Sequence, residues 1–460
     1  MRAEHRVSDA LNFRGVARYS ETLNDYLVTN PGDGGNITNN GVALINGVYW
    51  MKRGIKSRWN PARTLAATAD IYGSFGTGIV HNYDVGLEVS RERNFNASYT
   101  MVTTGGSACP APLTGFDCTP LYDPNPSDPW SGTITRGPVS NSQTDTIALY
   151  AFDSIEIGDR WVVNLGLRYD DYSTEGLNVA VANGVTTGTR VGGDWDFLNW
   201  QAGVVFKPTA NTSLYASAST SATPPTISAG DQNNAAGTGT GNLSTELLDP
   251  EETLSFEIGA KASLFHQQLQ LSAALFHLTR ENAQILVDVG VYEQAGEVEV
   301  TGLELGFSGN VTPKWQVFGG YTWMDSELVK GACTAVAGPP PSCTPSVFEG
   351  LQLANTPEHS FSLFSTYRLL DKLTVGGGVY YVSDSFGGNQ GGAGGGANRV
   401  YAPAWTRVDL YAAYDLTDRV GVQLNVQNVA DEEYIVRTNG VHHADVAPGR
   451  QAILSLNLRF

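Results

Sequence analysis

Long apolar runs are absent from this sequence of 460 residues. Because no stretch of about 18 consecutive apolar residues occurs, a membrane-spanning helix is excluded. Charged residues are also few, at 16% of the chain, and the acidic ones dominate, so that the net charge is −18. Nucleic-acid binding needs basic patches, and this balance therefore argues against a nucleic-acid partner.

Cysteine is scarce, with four residues in two close pairs, Cys109 with Cys118 and Cys333 with Cys343. Each pair lies in a segment rich in Pro, Gly and Ser. This spacing favours two small disulfide loops in an oxidising compartment. The alternative is a four-cysteine zinc site, which is disfavoured because no Cys-x-x-Cys spacing and no flanking histidine occurs.

Catalytic constellations are missing as well. His442 and His443 stand beside Asp445, but no third metal ligand follows at a useful spacing. The glycine-rich stretch 387–396 precedes no predicted helix, which a phosphate-binding loop would require. No nucleophile–base pair stands at the end of a predicted strand. The sequence therefore predicts that the chain is not an enzyme and has no resident cofactor or metal.

What the sequence has in abundance is glycine, aromatic side chains and an alternation of apolar with polar residues. In the last segment Leu456, Leu458 and Phe460 share one face of a predicted strand, whereas Ser455 and Asn457 share the other. A soluble sandwich would bury the apolar face in its core. A membrane barrel would turn that face to lipid and line its lumen with the polar one.

The alternation recurs along the whole chain, and no linker divides it, so a single domain over residues 1–460 is predicted. Glu257, Lys261 and Arg168 stand in the middle of predicted strands, where a dry sandwich core would make them costly. These features favour a water-filled antiparallel transmembrane β-barrel, an all-β fold. The sixteen candidate strands are 11–28, 56–75, 79–103, 142–156, 160–175, 195–207, 211–222, 251–264, 268–285, 294–309, 314–329, 358–369, 373–387, 404–415, 419–429 and 448–460.

The connections between these strands alternate between short turns and longer loops. This is the asymmetry of outer-membrane barrels, which have short periplasmic turns and longer extracellular loops. Both cysteine pairs fall in long loops, as extracellular disulfides should. The predicted long loops are 29–55, 104–141, 176–194, 223–250, 286–293, 330–357, 388–403 and 430–447.

Several motifs resemble the barrel of TonB-dependent outer-membrane receptors. The segment from Leu248 to Lys261 resembles the Leu-x-Pro-Glu…Glu-x-Gly-x-Lys strand of that family. Further motifs that resemble the family follow in its order at Val300–Leu305, Asn355–His359, Asn425–Tyr434, Pro448–Arg450 and Arg459–Phe460.

The N-terminal half resembles one branch of this family, the ferric-catecholate siderophore receptors. The segments that carry this likeness are Glu4–Asp9, Arg14–Tyr19, Phe75–Gly78, His81, Gly86–Glu92 and Leu121–Trp130. The resemblance implies an outer-membrane receptor and transporter for a ferric siderophore, energised through TonB. A strand that ends in Phe460 also resembles the sorting signature of such barrels, which implies recognition by the barrel-assembly machinery in addition to contact with the lipid bilayer.

Barrels of the family have twenty-two strands and a plugged lumen. This chain supplies about sixteen strands, with Met1 to Arg6 as the tail of another, and no plug domain. Contact with TonB would then run through a plug domain that is not in this chain. Two unpaired strand edges in lipid are not tolerable, and no signal peptide precedes the strands, so the true start is expected upstream of Met1. The alternatives are a passive porin-like channel, an adhesin or phage-docking surface protein, and a non-functional receptor fragment.

A ferric tris-catecholate is anionic and aromatic, so its receptor needs arginine for charge and tyrosine or tryptophan for stacking. For each candidate the alternative is an ordinary exposed loop residue. On the lumen face, Arg14, Arg18, Arg168 and Lys261 are expected to contact the plug or water rather than the ligand. The candidate ligand-binding residues in or near the long loops are Tyr122, Trp130, Arg136, Arg190, Arg280 and Arg399.

Overall fold

The computed structural model consists of β-strands joined by turns and loops in all the residues that it describes. Among the residues that the structure describes, no helix is long and apolar enough to cross a membrane. The structure describes residues 1–31, 42–103, 110, 118–125, 132–182, 185–223, 250–288, 291–294, 296–331, 334–336, 342–344, 349–389, 399–439 and 443–459.

One antiparallel sheet of nineteen strands forms the wall of the molecule. Two of the nineteen, Val42–Ile45 and Cys118–Pro120, belong to an extension beyond the wall. Each of the other seventeen pairs with the next one along the chain, so that all but the first and the last have a wall partner on both sides. These wall strands are β1 (Arg2–Ser8), β2 (Leu11–Pro31), β3 (Val48–Phe75), β4 (Ile79–Asn96), β5 (Ser140–Ile157), β6 (Trp161–Ala182), β7 (Val185–Thr209), β8 (Thr212–Thr223), β9 (Glu251–Leu264), β10 (Leu269–Glu281), β11 (Glu297–Thr312), β12 (Trp315–Lys330), β13 (His359–Leu370), β14 (Leu373–Val382), β15 (Trp405–Thr417), β16 (Val420–Gln427) and β17 (Gln451–Leu458).

The prediction of an all-β antiparallel fold is confirmed. All sixteen candidate strands have a counterpart in the wall, and β9 has the predicted bounds. The expected tail of a further strand is β1, which pairs with β2 from Arg2 to Ser8. The wall therefore has seventeen strands rather than sixteen, and among the described residues no pairing joins β1 to β17.

The predicted long loops are wrong in extent because the strands continue into them. β6 and β7 stay paired up to Ala182 and Val185, inside the loop predicted at 176–194. That segment is rich in Val and Thr, whose branched side chains suit a pleated strand. β2 and β3 likewise remain paired as far as Pro31 and Arg53.

Other predicted strands divide where the chain leaves the wall. The strand predicted at 79–103 ends in the wall at Asn96, and Tyr99–Thr103 pairs instead with Gly132–Arg136. Those predicted at 268–285 and 373–387 end in the wall at Glu281 and Val382. Four further two-stranded hairpins stand at the long-loop end: Gln284–Asp288 with Val291–Gln294, Thr334–Val336 with Ser342–Thr344, Ser385–Asn389 with Arg399–Ala402, and Ile435–Asn439 with His443–Val446.

Two neighbouring rows of the register show how the wall divides its side chains. Each row crosses β2 to β6, and period two places the rows on opposite faces of the sheet. The first row is Phe13, Ile71, Val85, Ala151 and Leu167. The second row is adjacent to the first, displaced by one residue on every strand, and consists of Arg14, Asp70, Gly86, Tyr150 and Arg168.

The apolar face is exposed rather than buried in a core. Leu65 is 59% exposed, Ile258 60% and Leu454 71%. An apolar surface of this extent is not stable in water and marks contact with lipid or another apolar partner. This decides between the sandwich and the barrel, since a sandwich would have covered these side chains. A small hydrophobic core lies at the long-loop end instead, formed by Val298 and Leu328 with their neighbours.

The apolar face has the height of a bilayer. On β5 the outward positions between Asp153 and Asp145 are Ala151, Leu149 and Ile147. Eight residues span about 26 Å along a strand, and the tilt of barrel strands reduces this height, so that it is comparable with the ~25 Å apolar band of outer-membrane barrels. The two aspartates therefore mark the edges of the band on this strand.

Candidate functional site

A network of ion pairs crosses the lumen face of β2 to β5. Arg14 lies 2.8 Å from Asp70 (Nε to Oδ2) and 2.9 Å from Asp84 (Nη2 to Oδ2). Tyr150 donates its hydroxyl hydrogen to Asp70. The Asp70 side chain is only 1% exposed. A carboxylate buried this deeply is tolerated because a guanidinium and a hydroxyl both compensate its charge.

Arg168 on β6 extends the network along the same face. Its guanidinium lies 3.1 Å from Glu88 and 2.8 Å from Asp170, and its Cζ lies 5.6 Å from the centroid of the Tyr150 ring. Arg168 lies on the lumen face, as the sequence predicts, and the expected contact with the plug or water stays a prediction. Its carboxylate partners are Asp170 of its own strand and Glu88 of β4, whereas those of Arg14 lie on β3 and β4.

The Glu-x-Gly-x-Lys part of the family motif has a structural reason. Glu257, Gly259 and Lys261 alternate along the lumen face of β9 and surround Tyr215 of β8. The Tyr215 hydroxyl donates to Glu257 at 2.5 Å, and Lys261 Nζ lies 5.3 Å from the centroid of its ring. Gly259 lies directly opposite, and a side chain there would collide with the Tyr215 ring. The motif therefore fixes one tyrosine against the wall.

The motif Asn425–Tyr434 forms the turn after β16. Asn428, only 2% exposed, donates its side-chain amide to the carbonyls of Glu432 (2.9 Å) and Pro448 (3.3 Å). Its side-chain oxygen accepts the Glu432 N–H, and its own backbone N–H donates to Asp409 on β15. One buried asparagine thereby joins the turn after β16 to strand β15 and to the segment that precedes β17.

Removing the Asn428 side chain tests this role. Asn428→Ala leaves the N–H and carbonyl of Glu432 without their partner, and each unsatisfied buried group costs about 1–3 kcal/mol. We therefore expect the free energy of unfolding to fall by about 2–4 kcal/mol, measured by urea denaturation of the detergent-extracted protein. Asn457→Ala, at an exposed position of β17, is the matched control. Equal effects of the two substitutions would contradict the structural role of Asn428.

An arginine enclosed by aromatic rings lies beside this turn, on the lumen face. Arg407 Nη1 donates to the Tyr434 hydroxyl at 3.3 Å, and its Cζ lies 4.4 Å from the centroid of the Tyr380 ring. Trp405 stacks on Tyr434 with the ring centroids 4.2 Å apart. Asp409 accepts a further hydrogen bond from Arg407 at 3.1 Å. The sequence candidates did not include this cluster.

The motif Asn355–His359 connects three chain segments at the same end. Asn355 has a φ of 58°, and its N–H donates to the Phe386 carbonyl at 2.8 Å. Its side chain exchanges hydrogen bonds with the backbone of Thr438 at 3.0 Å in both directions. The loops after β12, β14 and β16 are thus tied together above the lumen.

The structure disperses the predicted ligand-binding residues. Tyr122 is 81% exposed and contacts only Tyr49 among rings of the described residues, edge to face at 5.8 Å. Arg136 covers Trp59, 4.1 Å from its centroid. Tyr122 follows Pro120, which pairs with Trp50 on β3. Trp50 and Trp59 are nine residues apart on that extended strand, which is about 30 Å. Tyr122 and Arg136 therefore lie near positions of β3 that are far apart.

Two further candidates are fixed by their partners or their register. Arg280 lies on the lumen face of β10, 3.4 Å from Glu251. Arg190 pairs with Leu177 in the register of β6 and β7, which places it on the outer face, opposite the lumen. Trp130 lies outside the described residues, as does the side chain of Arg399. The ligand-binding role of all six candidates stays a prediction.

The structure describes only some of the residues predicted to form disulfides or the terminal strand. Cys118 is disulfide-bonded and 2% exposed, but Cys109, Cys333 and the side chain of Cys343 lie outside the described residues. The predicted pairing therefore stays a prediction. Leu456 and Leu458 are exposed on β17 at 63% and 54%, whereas Phe460 lies outside the described residues, as does His442.

Comparisons with known proteins agree with this architecture. The family model for the TonB dependent receptor-like beta-barrel matches residues 2–429. A relative described as a probable TonB-dependent siderophore receptor, PiuA of Acinetobacter baumannii, is 32% identical over 100% of this chain and 60% of its own length. The catecholate siderophore receptor Fiu of Escherichia coli K12 is 29% identical over 100% of this chain and 59% of its own.

Solved structures of the same two proteins superpose on the chain. The siderophore receptor PiuA from Acinetobacter baumannii gives a TM-score of 0.82 at 31% identity, with 99% of this chain and 63% of that structure covered. The closed form of the ferric-catecholate import receptor Fiu from E. coli K12 gives 0.80 at 28% identity, with 100% and 63% covered. The chain spans about three fifths of the length of these relatives. The match of the family model to nearly the whole wall shows that the chain belongs to the TonB-dependent receptors, as part of their β-barrel.

Proposed function

We propose that this chain is the barrel part of an outer-membrane receptor that imports a ferric siderophore of the catecholate type, with energy supplied through TonB. The observation that carries the proposal is the likeness to the catecholate receptor Fiu along the whole chain, at 29% identity and a TM-score of 0.80. Because the chain spans about three fifths of that relative, transport would be a property of the whole protein. The plug that contacts TonB would lie in the remaining part.

The chemistry at the long-loop end supports an anionic aromatic ligand. Arg407 with Tyr380, Trp405 and Tyr434 combines a fixed cation with ring faces on the lumen side, and Tyr122 offers an exposed ring further out. Catechol rings can stack on such faces, while the negative charge of the ferric complex is attracted by arginine. The hydrogen bonds of Asn355 join the loops after β12, β14 and β16, and the last of these loops carries Tyr434.

Uptake of radiolabelled iron tests the proposal. In iron-starved cells of the producing bacterium, deletion of the coding region should reduce saturable uptake of a ferric tris-catecholate at least tenfold. Uptake of a ferric hydroxamate complex, which lacks the aromatic rings, should be unchanged and serves as the control. Collapse of the proton gradient should abolish the uptake that the receptor supports.

The same experiment separates the alternatives. Non-saturable uptake that persists without the proton gradient would identify a passive porin-like channel instead. No difference between the deletion strain and its parent would contradict transport altogether and leave a receptor fragment without this activity.

A further inference from the structure

Two hairpins at the long-loop end lead directly to the aromatic rings beside Arg407. Trp405 is the third residue after the first hairpin, and Tyr434 immediately precedes the second. The ring centroids of Trp405 and Tyr434 are 4.2 Å apart, so a displacement of one hairpin against the other would disturb the stack. The β14–β15 hairpin and the β16–β17 hairpin consist, respectively, of Ser385–Asn389 with Arg399–Ala402 and of Ile435–Asn439 with His443–Val446.

The ladder of the wall does not hold either hairpin in place. Each hairpin forms a two-stranded sheet of its own, and among the described residues no strand pairing joins it to the wall or to the other hairpin. A two-stranded hairpin alone is at best marginally stable in water. The placement of the two hairpins therefore depends on contacts that lie outside the strand ladders.

Asn355, in the loop between β12 and β13, makes such contacts to both hairpins. Its backbone N–H donates to the carbonyl of Phe386 in the β14–β15 hairpin at 2.8 Å. Its side-chain amide donates to the carbonyl of Thr438 in the β16–β17 hairpin at 3.0 Å, and its side-chain oxygen accepts the Thr438 N–H at 3.0 Å. The Thr438 hydroxyl lies within hydrogen-bond distance of that oxygen (2.9 Å) and of the Gly387 carbonyl (3.2 Å). One residue thus joins the two hairpins.

The groups that form this junction are buried. Phe386 is 7% exposed and Thr438 is 8% exposed. A Cβ built on Gly387 would lie 3.1 Å from Cγ2 of Thr438, so the two hairpins touch at this point. Hydrogen bonds in a low-dielectric interior are electrostatically stronger than those in water, and a buried group that loses its partner is costly. The junction at Asn355 therefore holds the two hairpins in one arrangement.

The orientation of Arg407 depends on groups at the bases of both hairpins. Its Nη1 donates to the Tyr434 hydroxyl at 3.3 Å, and its Cζ lies 4.4 Å from the ring centroid of Tyr380, on the strand that leads into the β14–β15 hairpin. Its Nη2 donates to Asp409 at 3.1 Å, and its Nε is buried. Because a guanidinium has five N–H groups, one on each Nη remains for a ligand, and the side chain is 28% exposed.

We propose that Asn355 is a positioning residue of the ligand site: by joining the two hairpins it keeps Trp405 stacked on Tyr434 and thereby fixes Arg407 for an anionic aromatic ligand. The inference rests on the proposed function, because it takes these groups as the ligand site. Asn355 acts through Tyr434 and Arg407 and does not touch the ligand. When a binding-competent arrangement is populated for only part of the time, the apparent Kd rises in inverse proportion to that fraction.

The substitution Asn355→Gly isolates the side-chain contacts. Asn355 has a φ of 58°, which glycine adopts without strain, so the backbone is preserved while the hydrogen bonds to Thr438 are lost. The protein is extracted from its outer membrane in mild detergent after labelling with fluorotryptophan. Fluorine NMR then follows the Trp405 resonance, identified by its absence in Trp405→Phe. Without ligand, we expect this resonance to shift or split in Asn355→Gly, and the affinity for a ferric tris-catecholate to fall about tenfold.

Two further variants calibrate this result. Asn46→Gly makes the same exchange at an exposed turn position with a φ of 52° and should change neither the resonance nor the affinity. Asn355→Asp keeps the oxygen that accepts from Thr438 and loses only the donor, so its affinity should fall by only about threefold.

The two readouts distinguish this inference from the proposed function. Unchanged affinity in Asn355→Gly would overturn the positioning role, even if the Trp405 resonance moves, since Asn355 would then be only structural. An unchanged Trp405 resonance would overturn the action of Asn355 through the ring stack. If the unsubstituted protein bound no ferric tris-catecholate, the proposed function would be contradicted, and the ligand role of Asn355 with it.

Discussion

Replacing Arg14 with leucine is expected to reduce the free energy of unfolding by about 3–5 kcal/mol, the cost of breaking a buried ion pair from one side. The substitution leaves Asp70, whose side chain is 1% exposed, with only the Tyr150 hydroxyl as a partner. It also removes the 2.9 Å contact that neutralises Asp84. The measurement is urea denaturation of the protein extracted from outer membranes.

A second variant separates charge from packing in this network. Arg14→Leu combined with Asp70→Leu removes both members of the pair, and replacing a buried pair by apolar residues is often close to neutral. We expect the double variant to recover most of the lost stability. Arg437→Leu is the control, because its contact with Asp445 is exposed, at 68% and 63%, and such pairs contribute about 0–1 kcal/mol. A loss below 1 kcal/mol for Arg14→Leu would show that water, rather than Arg14, compensates Asp70.

The strands could be predicted from the sequence because lipid and water impose a strict period of two on each of them. In β9 the outward residues Phe256 and Ile258 alternate with Glu257 and Gly259, and the predicted bounds agree with those observed. Such a pattern depends only on residues within one strand. It needs no knowledge of which strands are neighbours.

The lumen network could not be predicted in the same way, because its members come together only through the register. Arg14 and Asp70 are 56 residues apart, and Asp70 and Tyr150 are 80 apart. A shift of one residue in any strand pairing would send these side chains to the lipid face. The sequence identified Arg14 and Arg168 as lumen residues but carried no signal for their partners.

The extent of the loops was predicted wrongly for a different reason. Above the band both faces of a strand meet water, so the alternation that marks a strand is lost although the pairing continues. β6 and β7 run on in this manner from Glu175 to Ala182 and from Val185 to Gly192. Arg190, a ligand candidate chosen by residue type, lies on the outer face of such an extension, and the ligand-binding role of all six candidates stays a prediction. Arg407 was not among the candidates, because those were sought in or near the loops and Arg407 stands inside β15.

Placing an arginine on either face of the wall directly tests which face is turned to lipid and which to the lumen. Ile258→Arg introduces a charge in the middle of the outward side of β9, where Ile258 is 60% exposed. At the bilayer midplane such a charge costs about 2–4 kcal/mol. The lumen control is Ser217→Arg on β8, which is directly opposite Glu257 and should change stability by no more than about 0.5 kcal/mol.

The comparison is made in lipid vesicles, because detergent adapts more easily to a charge than a bilayer does. Two urea titrations under the same conditions give the difference between the variants, which is expected to be at least about 1.5 kcal/mol. Both positions are exposed on the wall, so neither arginine has to be buried in a protein core. Equal destabilisation by both arginines would mean that both faces meet the same medium, and the assignment of lumen and lipid faces from the register would be wrong.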